Sequence, residues 1–228
     1  MEVIDPIPFE LDVDDLLETL GNRRIREKDV VPLVDECRQL IEPKAVYKFV
    51  QVTQINNSEI QVDNRYSIKS IILGDSLENN QTIVPYVVTI GSQLESNSSK
   101  ESKNNLLKAF IMEQIADYAI DKARLYVSSL AKEKLGNNIN NFSPGTGTGR
   151  LFNINQQEVL FKIIDPTNTI GVRLMPSYLM LPRKSISGVF AATSREYVAC
   201  EYCPRKCEHR RKAYSGEYIG HHCEQDVW

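Results

Sequence analysis

The residues best suited to chemistry are the cysteines, and four of the five lie in the last 29 residues of the chain. They are Cys200, Cys203, Cys207 and Cys223. The gaps of two and three residues within the first three suit one tight knuckle, in which neighbouring thiolates face a single ion. Zinc takes four cysteines, or three with a histidine, and a [4Fe–4S] cluster normally takes four cysteines. We therefore predict one metal centre here, with zinc and iron–sulfur both open and Cys223 as the expected fourth ligand.

The sequence also allows other interpretations of the cysteines. The fourth ligand could instead be His209, His221 or His222. The thiols could also stay reduced and inert or form disulfides, although clustered thiols in a reducing compartment indicate metal. The surrounding basic residues are Arg205, Lys206, Arg210, Arg211 and Lys212. This charge either offsets metal-bound thiolates, lies solvated, or forms a docking patch for an acidic partner.

A glycine-rich stretch, Ser143–Arg150, is the second candidate for binding chemistry. It lacks the Gly-Lys-Ser/Thr ending of a nucleotide P-loop and follows a predicted loop rather than a strand. From the residues alone, the stretch is either a ligand-facing loop with exposed backbone N–H groups or a plain connector. The three histidines all lie in the cysteine-rich tail, and no catalytic triad or pair of catalytic carboxylates can be assembled. No catalytic residue is predicted.

Composition limits the remaining functions. The 228 residues carry 27 Lys and Arg against 30 Asp and Glu, a formal charge of -3, so no chain-wide positive field favours nucleic acid. No apolar run approaches the roughly 18–20 residues that span a bilayer. The start of the chain is acidic, unlike a secretory signal peptide. We expect a cytoplasmic protein that binds neither nucleic acid nor membrane.

The elements that must position these residues follow from hydrophobic periodicity. The predicted helices are 12–20, 26–41, 106–136 and 154–164. The predicted strands are 45–55, 65–74, 84–91 and 170–193, the last broken at Pro176 and Pro182. Residues 96–105 and 137–150 are predicted loops. Runs of helices and strands in this order indicate an α+β fold rather than an alternating parallel one.

Two predictions concern burial. Cys37 lies on the apolar stripe of its helix and is interpreted as a small core side chain. Residues 106–130 are expected to form one continuous helix. Its buried face should include Phe110, Ile111, Ile115, Ala119 and Val127.

Two motifs resemble a known family. They are Phe142-Ser143-Pro144-Gly145 and the segment from Ile170-Gly171-Val172 through Leu181-Pro182-Arg183-Lys184-Ser185-Ile186-Ser187-Gly188. Together they resemble the activation domain of cobalamin-dependent methionine synthase, and especially its short free-standing relatives that end in a cysteine cluster. The resemblance covers the chain from about residue 23 to the tail. It implies an α+β domain with a curved antiparallel sheet and packed helices over 1–198, followed by a metal-binding tail over 199–228.

The resemblance also implies a function. Members of the family bind S-adenosylmethionine and dock over a corrinoid that another module carries. There an external electron reduces cob(II)alamin and the sulfonium methyl is transferred to cobalt. The chain is therefore expected to act as an accessory protein on a corrinoid protein or methionine synthase core, with a flavodoxin- or ferredoxin-like electron donor. Whether it is an enzyme by itself is left open.

The implied ligand-binding residues are Asn141, Ser143, Pro144, Gly145, Thr146, Ser177 and Phe190. The family's loop pattern is Arg-x-x-Pro-Gly-Tyr, and this chain has Asn141 and Thr146 at the arginine and tyrosine positions. Its Met175-Pro176-Ser177 replaces Thr-Glu-Ser, and Phe190 replaces a hydroxyl-bearing aromatic residue. These changes predict a weakened or repurposed S-adenosylmethionine site. The alternative function is a zinc or iron–sulfur redox or adaptor protein that kept the fold and lost this ligand.

Overall fold

The computed structural model describes residues 1–20, 26–145, 151–194, 196–203, 206, 210 and 212–215. Its helices are α1 (Val13–Leu20), α2 (Glu27–Leu40), α3 (Ile71–Ser76), α4 (Gln93–Glu101), α5 (Leu106–Leu135), α6 (Gln157–Ile164), α7 (Pro166–Ile170) and α8 (Ala199–Tyr202). Its strands are β1 (Glu2–Ile4), β2 (Lys44–Tyr47), β3 (Val50–Asn56), β4 (Glu59–Val62), β5 (Tyr66–Lys69), β6 (Thr82–Thr89), β7 (Ile139–Phe142), β8 (Arg173–Leu174), β9 (Met180–Leu181) and β10 (Ser185–Ala192). Within these ranges, no helix is long and apolar enough to cross a membrane.

The sheet is organised around β6, and its strand pairs are antiparallel. One edge of β6 pairs with β2 over Tyr86–Thr89 and with β3 over Thr82–Ile83. The other edge pairs with β10 over Ile83–Thr89, and β10 then pairs with β7. The nearly all-apolar sequence of β6 suits this place, because a central strand is buried on both faces. The predicted α+β fold, an antiparallel sheet with packed helices, is confirmed.

Two hydrophobic cores cover the two faces of the sheet. The first contains buried side chains of α1, α2 and α5, together with Tyr86, Val88 and Phe190 from β6 and β10. The second contains residues of α3, α6 and α7, together with Val87 and Val189. Because side chains alternate along a strand, Tyr86 and Phe190 face α5 while their neighbours face α6.

The long helix α5 was predicted correctly as one continuous element. Asn105 caps its first turn by accepting a 3.0 Å hydrogen bond from the Lys108 N–H, and Gly136 ends it with φ 88°. The predicted burial of Phe110 is wrong, since 45% of this residue is exposed. The adjacent Ala109 faces α4, where its carbonyl accepts a 3.3 Å hydrogen bond from the buried Ser98 hydroxyl. Phe110 is rotated away from that contact and reaches solvent.

Three local predictions were wrong. The predicted loop 96–105 contains most of α4, whose polar sequence is held by the buried Leu94 and Ser98 rather than by an apolar stripe. The predicted strand 65–74 ends at Lys69, because Ser70 accepts a 3.2 Å hydrogen bond from the Leu73 N–H and starts α3. The predicted loop 137–150 contains β7, whose polar residues pair with β10 at the sheet edge.

Candidate functional site

The candidate site begins at Tyr86, which lies opposite Gly188 in the pairing of β6 with β10. A glycine here leaves room above the strand, so the Tyr86 side chain reaches across β10 toward β7. Its hydroxyl donates a 2.9 Å hydrogen bond to Asn141 Oδ1. A Cβ added to Gly188 would lie 2.8 Å from that same oxygen and 2.9 Å from Ser143 Oγ. Gly188 is therefore required for the polar contact between Tyr86 on β6 and Asn141 on β7.

Phe190 completes this group of side chains. Its ring stacks on that of Tyr86 with centroids 4.2 Å apart and an interplanar angle of 10°. Phe190 is opposite Asn141 in the register of β10 and β7, so two of the predicted ligand residues are direct cross-strand partners. We call Tyr86, Asn141, Ser143 and Phe190 the tyrosine cluster.

The Tyr86 phenol is neutral at physiological pH. Burial raises its pKa to about 12, while the Arg124 guanidinium and hydrogen bonds with Ser143 and Asn141 act in the opposite direction. The hydroxyl is thus a fixed hydrogen-bond donor rather than a base. Arg124 itself is held by a 2.6 Å ion pair with Asp121 on α5.

A groove lies between α5 and the start of β10. It has a volume of about 310 Å³ and is lined by Glu113, Asp117, Ile120, Arg183, Lys184, Ser185 and Ile186. Ile186, Gly188 and Phe190 alternate onto the α5 side of β10. On α5, Ile120 and Arg124 are one turn apart. Both walls therefore run from the groove toward the tyrosine cluster.

Charged side chains form the floor of the groove. The Lys184 ammonium lies 2.9 Å from a Glu113 oxygen and 2.6 Å from an Asp117 oxygen, and only 15% of its side chain is exposed. Burial acts to lower the pKa of Lys184, but hydrogen bonds to the two carboxylates raise it overall. Burial acts to raise the pKa of Glu113, but its hydrogen bonds with Lys184 and Ser98 lower it overall. Lys184 and Glu113 are consequently ionised near neutral pH.

The charges that line the groove balance, since Glu113 and Asp117 accompany Lys184 and Arg183. Outside the lining, Glu95 pairs with Arg183, with one oxygen 2.5 Å from the Arg183 Nε. When this partner is counted, the groove and its immediate surroundings have a formal charge of -1. Such a groove favours a ligand that carries a positive charge together with hydrogen-bonding groups.

Three further predicted ligand residues, Pro144, Gly145 and Ser177, are described by the structure but are not part of the tyrosine cluster. Pro144 is buried, and the Gly145 N–H donates a 3.2 Å hydrogen bond to the Phe152 carbonyl, so the start of the loop is fixed. Thr146 lies outside the described residues. Ser177 is exposed in the turn between β8 and β9, where the Tyr178 N–H donates a 2.8 Å hydrogen bond to the Met175 carbonyl.

The predicted metal centre is described only in part. Cys200 and Cys203 lie in and just after α8 and are partly exposed. The Arg210 guanidinium donates hydrogen bonds of 2.7 and 2.8 Å to their two carbonyl oxygens, which ties both cysteine backbones to one side chain. Cys207 and Cys223 lie outside the described residues. Within the described part of the chain, no group of three histidine, cysteine or acidic side chains is placed to hold a metal ion. Cys37 is fully buried as predicted.

Sequence reasoning missed Tyr86, Gly188 and the Lys184 ion pairs. A tyrosine inside an otherwise aliphatic central strand was a usable signal, because a buried phenol needs a hydrogen-bond partner. The partners, Asn141 and Ser143, could not be assigned, since they lie 55 and 57 residues further along the chain.

Comparisons with known proteins give a likeness of fold. No family model matches the chain, and no curated protein matches it. Among solved structures, the chain is similar to the crystal structure of the MetH reactivation domain bound to AdoHcy, with a TM-score of 0.56 and 13% identity. The match covers 87% of this chain and 80% of the other. At this identity the likeness concerns the fold alone.

Proposed function

We propose that this protein binds an S-adenosyl ligand along the groove and the tyrosine cluster, and that it assists the reactivation of a corrinoid cofactor held by a partner protein. The observation that carries the proposal is the fold, which is similar to that of a domain solved with AdoHcy. The motif residues Asn141 and Phe190 are cross-strand partners, and the strand β10 that carries Phe190 begins at the groove.

Electrostatics supports a sulfonium ligand in particular. S-adenosylmethionine carries a positive sulfur and an ammonium group, and both are attracted by the excess carboxylate of the groove and its immediate surroundings. Asp117 has the more exposed of the two carboxylates paired with Lys184, with 60% of its side chain accessible. Its outer oxygen is therefore available to an incoming cation.

Tyr86 offers a replacement for polar groups that the motif has lost. The family's hydroxyl-bearing aromatic is Phe190 here, but the hydroxyl of Tyr86 lies on the ring stacked against it. Asn141 supplies an amide where the family has an arginine. We infer that the ligand meets the neutral Asn141 amide, which accepts a hydrogen bond from the buried Tyr86 hydroxyl, instead of a guanidinium. This weakens attraction for a carboxylate and leaves affinity for the sulfonium end.

The chain's own contribution would be to bind and orient the methyl donor. The cobalamin and its cobalt chemistry belong to the partner, which is a corrinoid protein or a methionine synthase core. The stacked rings of Tyr86 and Phe190 keep one wall of the site dry.

We also propose that the cysteine-rich tail holds a zinc ion or an iron–sulfur cluster. Support comes from the spacing of Cys200, Cys203 and Cys207 and from the bonds of Arg210 to the carbonyls of the first two. A cluster would make an electron-transfer role reasonable, with a flavodoxin- or ferredoxin-like donor, whereas zinc would stabilise the tail.

Calorimetric titration tests the ligand. We expect micromolar binding of S-adenosylmethionine and measurable binding of AdoHcy. Tyr86→Phe should weaken both, while Ser102→Ala, at the exposed end of α4, should leave both unchanged. No binding of either ligand at about 1 mM, a free energy weaker than about -4 kcal/mol, would refute the proposal. That result would leave the redox or adaptor alternative.

A further inference from the structure

Two adjacent glutamines at the start of α6 have opposite environments. Gln156 is partly exposed, and its amide is fully engaged: Oε1 accepts a 2.8 Å hydrogen bond from the Lys69 N–H and Nε2 donates a 2.9 Å bond to Asn155 Oδ1. Gln157 is only 5% exposed, and its Oε1 has no hydrogen-bond partner among the described residues. A buried amide oxygen without a partner is costly, so a native chain retains one for a reason.

Gln157 lines a cleft distinct from the groove. This amide cleft has a volume of about 240 Å³ and is lined by Gln157, Tyr178, Leu179, Met180, Arg183 and Ser185. It is bounded by α6 and the turn between β8 and β9, whereas the groove is bounded by α5. The two spaces share only Arg183 and Ser185.

The walls of the amide cleft define what fits. Tyr178 has φ 62°, a left-handed conformation that is rare for a large aromatic residue, and its side chain forms one wall. Leu179 and Met180 add apolar surface. Arg183 is already paired with Glu95, and the Ser185 hydroxyl is already bonded to Thr89 Oγ1 at 3.0 Å and to the Pro182 carbonyl at 2.7 Å. The side-chain polar groups left to recognise a ligand are the Gln157 amide and the Tyr178 hydroxyl.

We propose that the amide cleft is a second ligand site, which takes a planar group with an amide-type edge, an N–H donor beside an acceptor. Gln157 Oε1 accepts from the donor and Gln157 Nε2 donates to the acceptor, the pairing that a glutamine makes with a carboxamide or with an aminopurine. A flat group suits apolar walls with an aromatic side. An anion does not, because the nearby cation is already neutralised. This proposal does not depend on the proposed function of the groove.

Small molecules that carry a donor–acceptor edge test which kind of ligand the amide cleft binds. The complete ¹⁵N-labelled protein is titrated with nicotinamide and, separately, with 9-methyladenine, and the Gln157 side-chain amide resonance is followed. The matched controls are nicotinic acid and 9-methylpurine, which lack the N–H donor. We expect at least one amide-bearing probe to shift the Gln157 amide, with affinity at least about tenfold above that of its control. The probe that binds separates a carboxamide ligand from an aminopurine ligand.

Substitutions separate recognition from structure. Gln157→Met keeps the side-chain length and removes both polar atoms, so probe binding should be lost while Tm stays the same or rises by about 2–4 °C. Gln156→Met is the matched control, and it should leave probe binding unchanged. The proposal is overturned if neither probe binds at about 20 mM, if the controls bind equally well, or if Gln157→Met binds as the parent does. The wild-type titration decides the matter even if the variant fails to fold.

Discussion

The Tyr86 hydroxyl and Asn141 Oδ1 form a 2.9 Å hydrogen bond that links two strands not adjacent in the sheet. The strand β10 lies between them, and the bond passes over Gly188. This contact couples the central strand to the edge strand that leads into the glycine-rich loop. Because Tyr86 is buried in the first core, the position of the loop depends on how that core packs.

Tyr86→Phe removes the hydrogen-bond donor and leaves the side-chain oxygen of the partly buried Asn141 without it. We expect a loss of about 1–3 kcal/mol of unfolding free energy, measured by denaturant titration. A double-mutant cycle with Asn141→Ala supplies the control, since the second substitution should cost less once the hydroxyl is gone. Strict additivity of the two changes would contradict the contact.

Gly188→Ala should destabilise the protein and weaken ligand binding together. The new Cβ would lie 2.8 Å from both Asn141 Oδ1 and the Phe142 carbonyl oxygen, and the latter belongs to backbone that cannot easily move. We expect about 1–3 kcal/mol of destabilisation. Gly145→Ala is the matched control, because nothing lies within 4 Å of its added Cβ. Equal effects of the two substitutions on Tm would count against the close approach.

Lys184→Met should destabilise the protein and change its response to acid. The folded-state pKa of Glu113 is lowered, so its contribution to stability is present above the unfolded value near 4.5 and is lost as pH falls through the folded value. Without Lys184, burial acts on Glu113 with less opposition, its pKa rises, and acid unfolding should begin at a higher pH. At neutral pH we expect a loss of about 1 kcal/mol, discounted for the exposure of Asp117.

Arg38→Met is the control for this experiment. Arg38 is 54% exposed and pairs with Asp35, which is 80% exposed. Such surface pairs contribute little, so stability and the acid midpoint should hardly change. An unchanged acid midpoint in Lys184→Met would show that the groove carboxylates do not depend on the lysine.

Asp117→Asn tests the charge of the groove with two ligands that differ mainly at sulfur. S-adenosylmethionine has a sulfonium and AdoHcy a neutral thioether. Removing one carboxylate should reduce affinity for the sulfonium ligand about fivefold relative to AdoHcy, the effect of roughly 1 kcal/mol of screened attraction. Parallel calorimetric titrations measure the ratio. A loss equal for both ligands would place the sulfonium away from Asp117.

The tail prediction is tested by metal analysis and visible spectroscopy of anaerobically purified protein. We expect about one zinc per chain, or about four iron atoms with broad visible absorbance. Cys203→Ser should lose the metal. Cys37→Ala should keep it, because Cys37 is buried in the first core and burial raises its thiol pKa to about 12. Metal-free wild-type protein would leave the cysteines without this role.

The sequence predicted the fold class and the long helix because both depend on patterns that are local in the chain. The apolar stripe of α5 and the aliphatic run of β6 determine their own burial. The groove was not predictable in this way, since Lys184 meets Glu113 and Asp117 only through the packing of β10 on α5. The start of α3 was missed for a smaller reason, the cap formed by Ser70, which ends a strand whose apolar residues continue unbroken.

The thirty residues of α5 extend for about 45 Å. One side of the helix fills the first core, and another forms a wall of the groove. Its central amides should therefore exchange with deuterium only when the whole protein unfolds. A ligand bound in the groove would stabilise the folded protein by RT ln(1 + [L]/Kd). Amides that exchange only on global unfolding would gain this whole amount of protection. Occupancy of the site should thus be visible as slower exchange at buried α5 positions far from the ligand, such as Val127 and Ala131.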